Sequence, residues 1–177
     1  AIDEQTAMDS ETLKTRFWDM FIVDALIGNW DRHNGNWGFL YNNATDEVTL
    51  APVFDCGSSL YPQADEDLMK KILSDKNELN HRIFDIPLSA VTYNGKKINY
   101  FKFLSEGKFP DCNKALKRIA SRIDMKKIYE IIDNTPTITE LQKEFYKTML
   151  TARKERIIDF SLNKLKEKSK KHDDMQR

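Results

Sequence analysis

A dense polar stretch near one end of the chain constrains the fold more than any other feature. The eight residues from Asn29 to Asn36 follow directly on an apolar helical pattern. That pattern predicts a helix with its N-cap at Ser10 and its end near Gly28. Its apolar face carries Leu13, Phe17, Met20, Phe21 and Ile27. The chain must therefore leave a buried helix and at once form a polar loop at the edge of the core.

Two short strand-like runs, residues 38–41 and 48–50, follow this loop. Turn-forming residues separate them, so the two runs predict a small hairpin. A hairpin reverses the chain, and the segment Asp55-Cys56-Gly57 beyond it is expected to return beside the polar loop. We expect Gly57 to supply the tight backbone that the chain needs just after Asp55.

The remainder of the sequence predicts a mainly helical α+β domain. Residues 60–88 lack a clean period and are interpreted as a long loop with short helical pieces. Asn94-Gly95 predicts a type I′ turn in a hairpin over residues 89–99, and a helical period returns from Asp111. A capping box from Thr137 to Glu140 is predicted to open the last long helix. We expect residues 1–9 to be a leader, 10–165 one body and 166–177 a charged tail.

Composition restricts the classes of function that fit. The 177 residues, 40% of them apolar, suffice for one core. The 28 basic and 28 acidic residues cancel, so no overall basic field indicates nucleic acid, although residues 1–67 carry an acidic excess and the rest a basic one. Two cysteines make no disulfide framework, and no apolar run is long enough for a membrane span. These features predict a cytoplasmic location, with secretion or translocation into a host left open.

The polar residues of the loop and the later triplet suit phosphoryl transfer. That reaction needs a carboxylate against the acceptor hydroxyl and oxygen ligands for Mg²⁺ on the phosphates. Asp31 fits the first role, while Asn36 and Asp55 fit the second. His33 either contacts phosphate oxygens or fixes the shape of the loop, and the sequence leaves both roles open.

The string Asp-x-His-x-x-Asn at Asp31, His33 and Asn36, followed after a hairpin by an Asp-x-Gly triplet, resembles the catalytic and metal-binding loops of protein-kinase-like enzymes. It is most similar to the HipA-like toxin kinases and the related bacterial cell-translocating kinases. The resemblance implies a kinase-like C-lobe over residues 10–165, with ATP and Mg²⁺ as cofactors and a protein as substrate. Cys56 stands where many kinases place Phe.

The resemblance also implies that the ATP-binding N-lobe of such kinases is missing from this chain. Such kinases grip ATP with an N-lobe that precedes the catalytic loop, whereas only 30 residues precede Asp31 here. We therefore expect the N-lobe to be absent, or on another polypeptide, and the chain alone to turn over little.

Two alternatives to the protein kinase remain open. The loop is also similar to that of phosphatidylinositol kinases, which would make the acceptor a lipid or small molecule. The lobe could otherwise be a non-enzymatic module that binds a partner such as an antitoxin.

The sequence also leaves the partner of Arg32 open, which is either an acidic neighbour or bound phosphate. Asp24, on the preceding helix, is predicted to hydrogen-bond the loop from below.

Overall fold

The first helix, α1 (Ser10–Ile27), forms where the apolar pattern predicts it. Its N-cap is Asp9 rather than Ser10: the Asp9 carboxylate accepts a hydrogen bond from the Thr12 amide at 2.8 Å, while Ser10 is already helical. The helix ends as predicted at Gly28, whose φ of 68° is the left-handed conformation that favours glycine. The polar loop therefore starts directly at the end of a buried helix.

The structure is a computed structural model that describes residues 8–175, with side chains as far as residue 171. Seven of the nine predicted leader residues thus lie outside the described residues. Within the described part, the order of elements confirms the predicted mainly helical α+β class. After α1 come β1 (Phe39–Asn42), β2 (Glu47–Leu50), α2 (Glu66–Ser74), α3 (Lys76–Phe84), β3 (Leu88–Tyr93), β4 (Lys96–Asn99), α4 (Tyr100–Glu106), α5 (Pro110–Ala120), α6 (Met125–Asp133), α7 (Glu140–Arg153) and α8 (Phe160–Met175).

Both predicted hairpins are present as separate two-stranded antiparallel sheets. In the first, Phe39 pairs with Leu50, so the chain returns to the point where it left the polar loop. In the second, Asn94 and Gly95 have φ angles of 51° and 74°. Two successive positive φ angles are what a type I′ turn requires, which confirms the predicted turn.

Residues 60–88, predicted to be a long loop with short helical pieces, are more helical than expected. The helices α2 and α3 occupy most of this segment, and a single residue, Asp75, separates them. Asp65 and Asp75 cap the two helices by accepting hydrogen bonds from amides of the first turn. Because each helix is only nine residues long, neither carries enough turns to display a clear period in the sequence.

The C-terminal helices close the core around α1. The capping box of α7 is Thr139 with Gln142, not the predicted pair Thr137 and Glu140.

A π-helical segment (Lys154–Asp159) joins α7 to α8 without a break. Helix α8 runs to Met175, so most of the predicted charged tail is helical. Two large apolar residues of the C-terminal helices, Ile131 and Phe160, are 68% and 46% exposed and so lie outside the core. None of the helices within residues 8–175 is long and apolar enough to span a membrane.

Gly107 offers a direct test of this packing. It follows α4 with a φ of 61°, and a Cβ atom at this position would lie 2.6 Å from Cδ2 of the buried Leu165. We expect Gly107→Ala to lower the free energy of unfolding by about 1–3 kcal/mol, because both the backbone conformation and the overlap disfavour a side chain. Urea denaturation followed by circular dichroism measures this. The control is Gly38→Ala, where a Cβ meets nothing within 4 Å; an equal loss there would contradict the explanation.

Candidate active site

The polar loop is held from below by a buried asparagine that sequence reasoning did not single out. Asn29 is fully buried, and its side-chain amide nitrogen donates to Asp24 at 3.0 Å. Its side-chain oxygen accepts the Asp31 amide at 3.1 Å, and its backbone oxygen accepts the Tyr100 hydroxyl at 2.5 Å. The backbone at Asp31 is therefore fixed by the helix before it and by a helix 71 positions later.

Arg32 points into the protein and pairs with Asp24. Its Nε and Nη2 donate to the two carboxylate oxygens at 3.0 and 3.2 Å, and both side chains are only 2% exposed. Burial disfavours the charged guanidinium, but the hydrogen bonds and charge of Asp24 outweigh it, so the pKa of Arg32 is raised. Of the two roles that the sequence left open for Arg32, the acidic neighbour is the observed one. The predicted support from Asp24 is also observed.

The same guanidinium joins the polar loop to the segment after the hairpin. Nη1 donates to the backbone oxygen of Asn36 at 2.6 Å and to that of Phe54 at 2.5 Å. Nη2 also approaches the sulfur of Cys56 at 3.4 Å. Phe54 and Cys56 are the two neighbours of Asp55, so a single buried side chain holds both loops in register. The predicted return of the Asp-x-Gly triplet to the polar loop is thus observed.

The three residues predicted to act on substrate and metal lie around this junction with different exposures. Asp31 is half-buried, Asn36 is 6% exposed and Asp55 is exposed. The Asn36 side-chain nitrogen donates to the Asp31 backbone oxygen at 2.8 Å. With its nitrogen engaged, the amide oxygen is the atom that Asn36 can offer to a cation.

Asp55 adopts an unusual backbone conformation. Its φ is 53°, in the left-handed region, where residues other than glycine are uncommon and tend to occur at functional sites. Gly57 lies in a turn, as expected, but its φ is not positive; the left-handed position is two residues earlier, at the backbone of Asp55. Aspartate tolerates this conformation better than most residues because its short polar side chain can bond locally.

His33 shapes the loop and also exposes a donor. Its Nδ1 accepts the Gly35 amide at 3.0 Å at the start of a 3₁₀ turn (Asn34–Asn36). In the neutral ring an accepting Nδ1 leaves the proton on Nε2. A Cβ at Gly35 would approach the ring to 3.0 Å, so the residue beside it must be small. The structural role is thus observed, and the exposed Nε2–H remains available for an oxyanion.

The donor set fits magnesium better than zinc. Among the described residues, no three His, Cys, Asp or Glu side chains are grouped so that they could hold a metal ion. Zinc sites usually need three or four such ligands. Mg²⁺ instead binds through one or two protein oxygens, with substrate phosphates and water as the other ligands. Asn36 and Asp55, whose loops Arg32 joins, would each offer one such oxygen.

A second buried arginine, also missed in the sequence, supports the end of α1. Arg153 is 1% exposed, and its Nε donates to the backbone oxygen of Ala25 at 2.9 Å. Its guanidinium would lie 3.5 Å from a Cβ placed at Gly28. Burial lowers the pKa of Arg153. The partners are 128 positions apart, so no local pattern indicates this contact.

Comparison with known proteins agrees with this arrangement. A family model described as the HipA-like C-terminal domain matches residues 2–141. The chain is 52% identical over 173 residues to the serine/threonine-protein kinase CtkA of Helicobacter pylori strain J99, which covers 97% of this chain and 53% of that protein. The chain thus spans about half the length of this curated relative.

A solved structure shows that the similarity to the Helicobacter pylori kinase extends to the fold. The crystal structure of a Helicobacter pylori proinflammatory kinase CtkA matches with a TM-score of 0.92 at 52% identity, over 95% of this chain and 62% of that one. The family match, the relative and the shared fold all indicate the same family. The chain is a kinase-like domain and belongs to the HipA-like C-terminal domain family.

Proposed function

We propose that this chain is the C-terminal catalytic lobe of an ATP-dependent serine/threonine protein kinase. It transfers the γ-phosphoryl group of ATP to a hydroxyl of a protein substrate, with Asp31 orienting that hydroxyl and accepting its proton. The observation that carries the proposal is the position of Arg32, which bonds to Asn36 and Phe54 and so joins the two loops that such chemistry requires. The name of the Helicobacter pylori relative favours a protein acceptor over a lipid.

Asn36 and Asp55 would hold Mg²⁺ through the amide oxygen and the carboxylate. When bound, Mg²⁺ neutralises charge on the phosphates and orients the transferred group. Side chains of this chain would position the acceptor hydroxyl and donate hydrogen bonds to the phosphoryl oxygens. Asp31 sits on backbone that Asn29 fixes, which limits its movement between the apo state and the reacting state. With Nδ1 accepting the Gly35 amide, the Nε2–H of His33 is the remaining ring donor and could serve an oxyanion at the edge of the loop.

Exposed apolar side chains near Asp55 favour a contact with another part of the kinase. Five large apolar side chains on β1 and on the strand exit are at least 40% exposed: Phe39, Leu40, Tyr41, Val53 and Phe54. Exposed large apolar side chains close to a polar site often mark a contact with a ligand or a partner. We propose that an adenine ring and an N-lobe cover it, and that the chain alone binds ATP weakly and turns over little.

Radiolabel transfer from γ-labelled ATP tests the proposal. The assay compares the 177-residue chain with a chimera that adds the part of the Helicobacter pylori kinase that the chain does not match. Casein and phosphatidylinositol vesicles serve as alternative acceptors. We expect Mg²⁺-dependent labelling of protein by the chimera and little labelling by the chain alone. Asp55→Asn should reduce the rate at least about 100-fold, because it removes the negative charge that holds the cation.

A matched control separates this effect from a general loss of charge. Asp67 is exposed in the first turn of α2, so Asp67→Asn changes net charge equally and should leave the rate near that of the parent chimera. Labelling of lipid in place of protein would assign the lobe to the lipid kinases. A chimera that binds ATP but labels neither acceptor would contradict a catalytic role.

A further inference from the structure

A cleft opens beside the polar loop, and neither of the proposed metal ligands lines it. It has a volume of about 590 Å³ and lies between α1, the loop and β3. Residues 32–34 and Trp37 of the loop line it, whereas Asp31, Asn36 and Asp55 do not. The cleft is therefore next to the proposed reaction centre but does not include the residues proposed to hold Mg²⁺ on the phosphates.

Aromatic side chains form one wall of the cleft and are held rigidly. The ring of Phe17 lies 5.0 Å from that of Trp18 and 5.9 Å from that of Trp37. Trp18 in turn stacks on Phe103 at 5.9 Å, and Phe103 on Phe109 at 4.7 Å. Because these rings already pack against each other, an incoming apolar group would bury surface without ordering them.

The polar residues around the cleft do not suit a phosphate-rich ligand. The guanidinium of Arg32 is already committed to Asp24 and to backbone oxygens. Lys14 and the acidic Asp111 both line the cleft, so its charges are mixed rather than basic. The Asp111 carboxylate is itself paired with Lys114 at 2.9 Å, so the main feature left in the cleft is its three aromatic rings, which fit an apolar side chain better than a phosphate headgroup.

We propose that this cleft binds a large apolar or aromatic side chain of the protein substrate, two or three residues from the hydroxyl that accepts phosphate. The inference rests on the proposed kinase function and names the substrate class for that site. His33, which lines the cleft, is two residues from Asp31, a distance of at most about 7 Å along the chain. An extended peptide advances about 3.3 Å per residue, so two or three residues span the gap.

Peptide binding to the 177-residue chain tests this inference without any need for catalysis. The probes are short fluorescein-labelled peptides with one central serine in an alanine background, in which a single phenylalanine occupies each flanking position in turn. Anisotropy gives the dissociation constants. We expect phenylalanine at two or three residues from the serine to bind about 10- to 100-fold more tightly than alanine there, the gain typical of burying such a side chain.

Thr92 allows the cleft to be blocked from outside the core. It is exposed and lines the cleft from β3, where an aromatic residue is compatible with a strand. Thr92→Trp should bring the phenylalanine preference down to within about twofold, whereas Thr92→Ser should keep it. Both variants should unfold in urea as the parent does, which separates occlusion of the cleft from misfolding.

The outcomes distinguish this inference from the kinase proposal. Asp55→Asn should leave the peptide preference unchanged, because Asp55 does not line the cleft. Equal binding of all peptides would overturn the cleft assignment even if the chimera transfers phosphate. A preference that survives in a chimera unable to transfer phosphate would support the cleft and overturn the kinase function. Binding of phosphatidylinositol vesicles that Thr92→Trp blocks, without a peptide preference, would overturn the inference in favour of a lipid.

Discussion

Replacing Asp31 by asparagine is expected to lower the rate of phosphoryl transfer by about 100- to 10,000-fold, the range that a positioned general base contributes. The amide would keep the shape of the side chain but could not accept the proton of the acceptor hydroxyl. The hydrogen bond from the backbone amide of this residue to Asn29 does not depend on the carboxylate. The variant should therefore fold and bind nucleotide as the parent does, and the loss should appear in kcat rather than in KM.

The measurement is steady-state transfer to casein by the chimera at several ATP and acceptor concentrations. Asp67→Asn again serves as the matched control, since it changes the same functional group on an exposed helix. Circular dichroism and urea denaturation check that Asp31→Asn leaves the fold intact. A variant that keeps the parental kcat would show that another group takes the proton, and Asp31 would then lose its assigned role.

Local patterns predicted the features that depend on neighbouring residues. The end of α1 at Gly28 and the turn at Asn94-Gly95 follow from the backbone conformations that glycine and asparagine permit. The return of the Asp-x-Gly triplet to the polar loop was also predictable, because a short hairpin between them leaves few paths for the chain. The roles of Asp31, His33, Asn36 and Asp55 in catalysis and metal binding remain predictions.

Contacts between distant residues were not predictable from any local pattern. Tyr100 donates to Asn29 and Arg153 to Ala25 across 71 and 128 positions. A hydroxyl or guanidinium can meet any backbone oxygen that the fold brings near, and only tertiary packing selects one. The short helices expected in residues 60–88 could not be placed for a different reason. The aspartates that cap α2 and α3 resemble turn residues when the helix that follows each of them is short.

Arg32 lies in the loop that the sequence pattern identified, but its partners are set by tertiary packing. Its replacement is the second change for which we expect a large effect. We expect Arg32→Met to lower the free energy of unfolding by about 3–5 kcal/mol, because it leaves the Asp24 carboxylate buried without its cationic partner. It should also abolish transfer, since the backbone oxygens of Asn36 and Phe54 lose the donor that joins them. Urea denaturation of the chain and transfer by the chimera measure the two effects.

A double replacement separates stability from positioning. In Asp24→Leu with Arg32→Met no charge is left buried, and replacing a buried ion pair by apolar residues is often neutral or stabilising. The double variant should therefore recover part of the lost stability, although the buried Asn29 amide loses its Asp24 acceptor. It should recover none of the transfer, because the two loops remain unjoined. Lys70→Met, which breaks the exposed pair with Glu66, should leave both quantities close to the parent. Recovery of transfer together with stability would mean that Arg32 only compensates Asp24, and the junction of the two loops would then need another explanation.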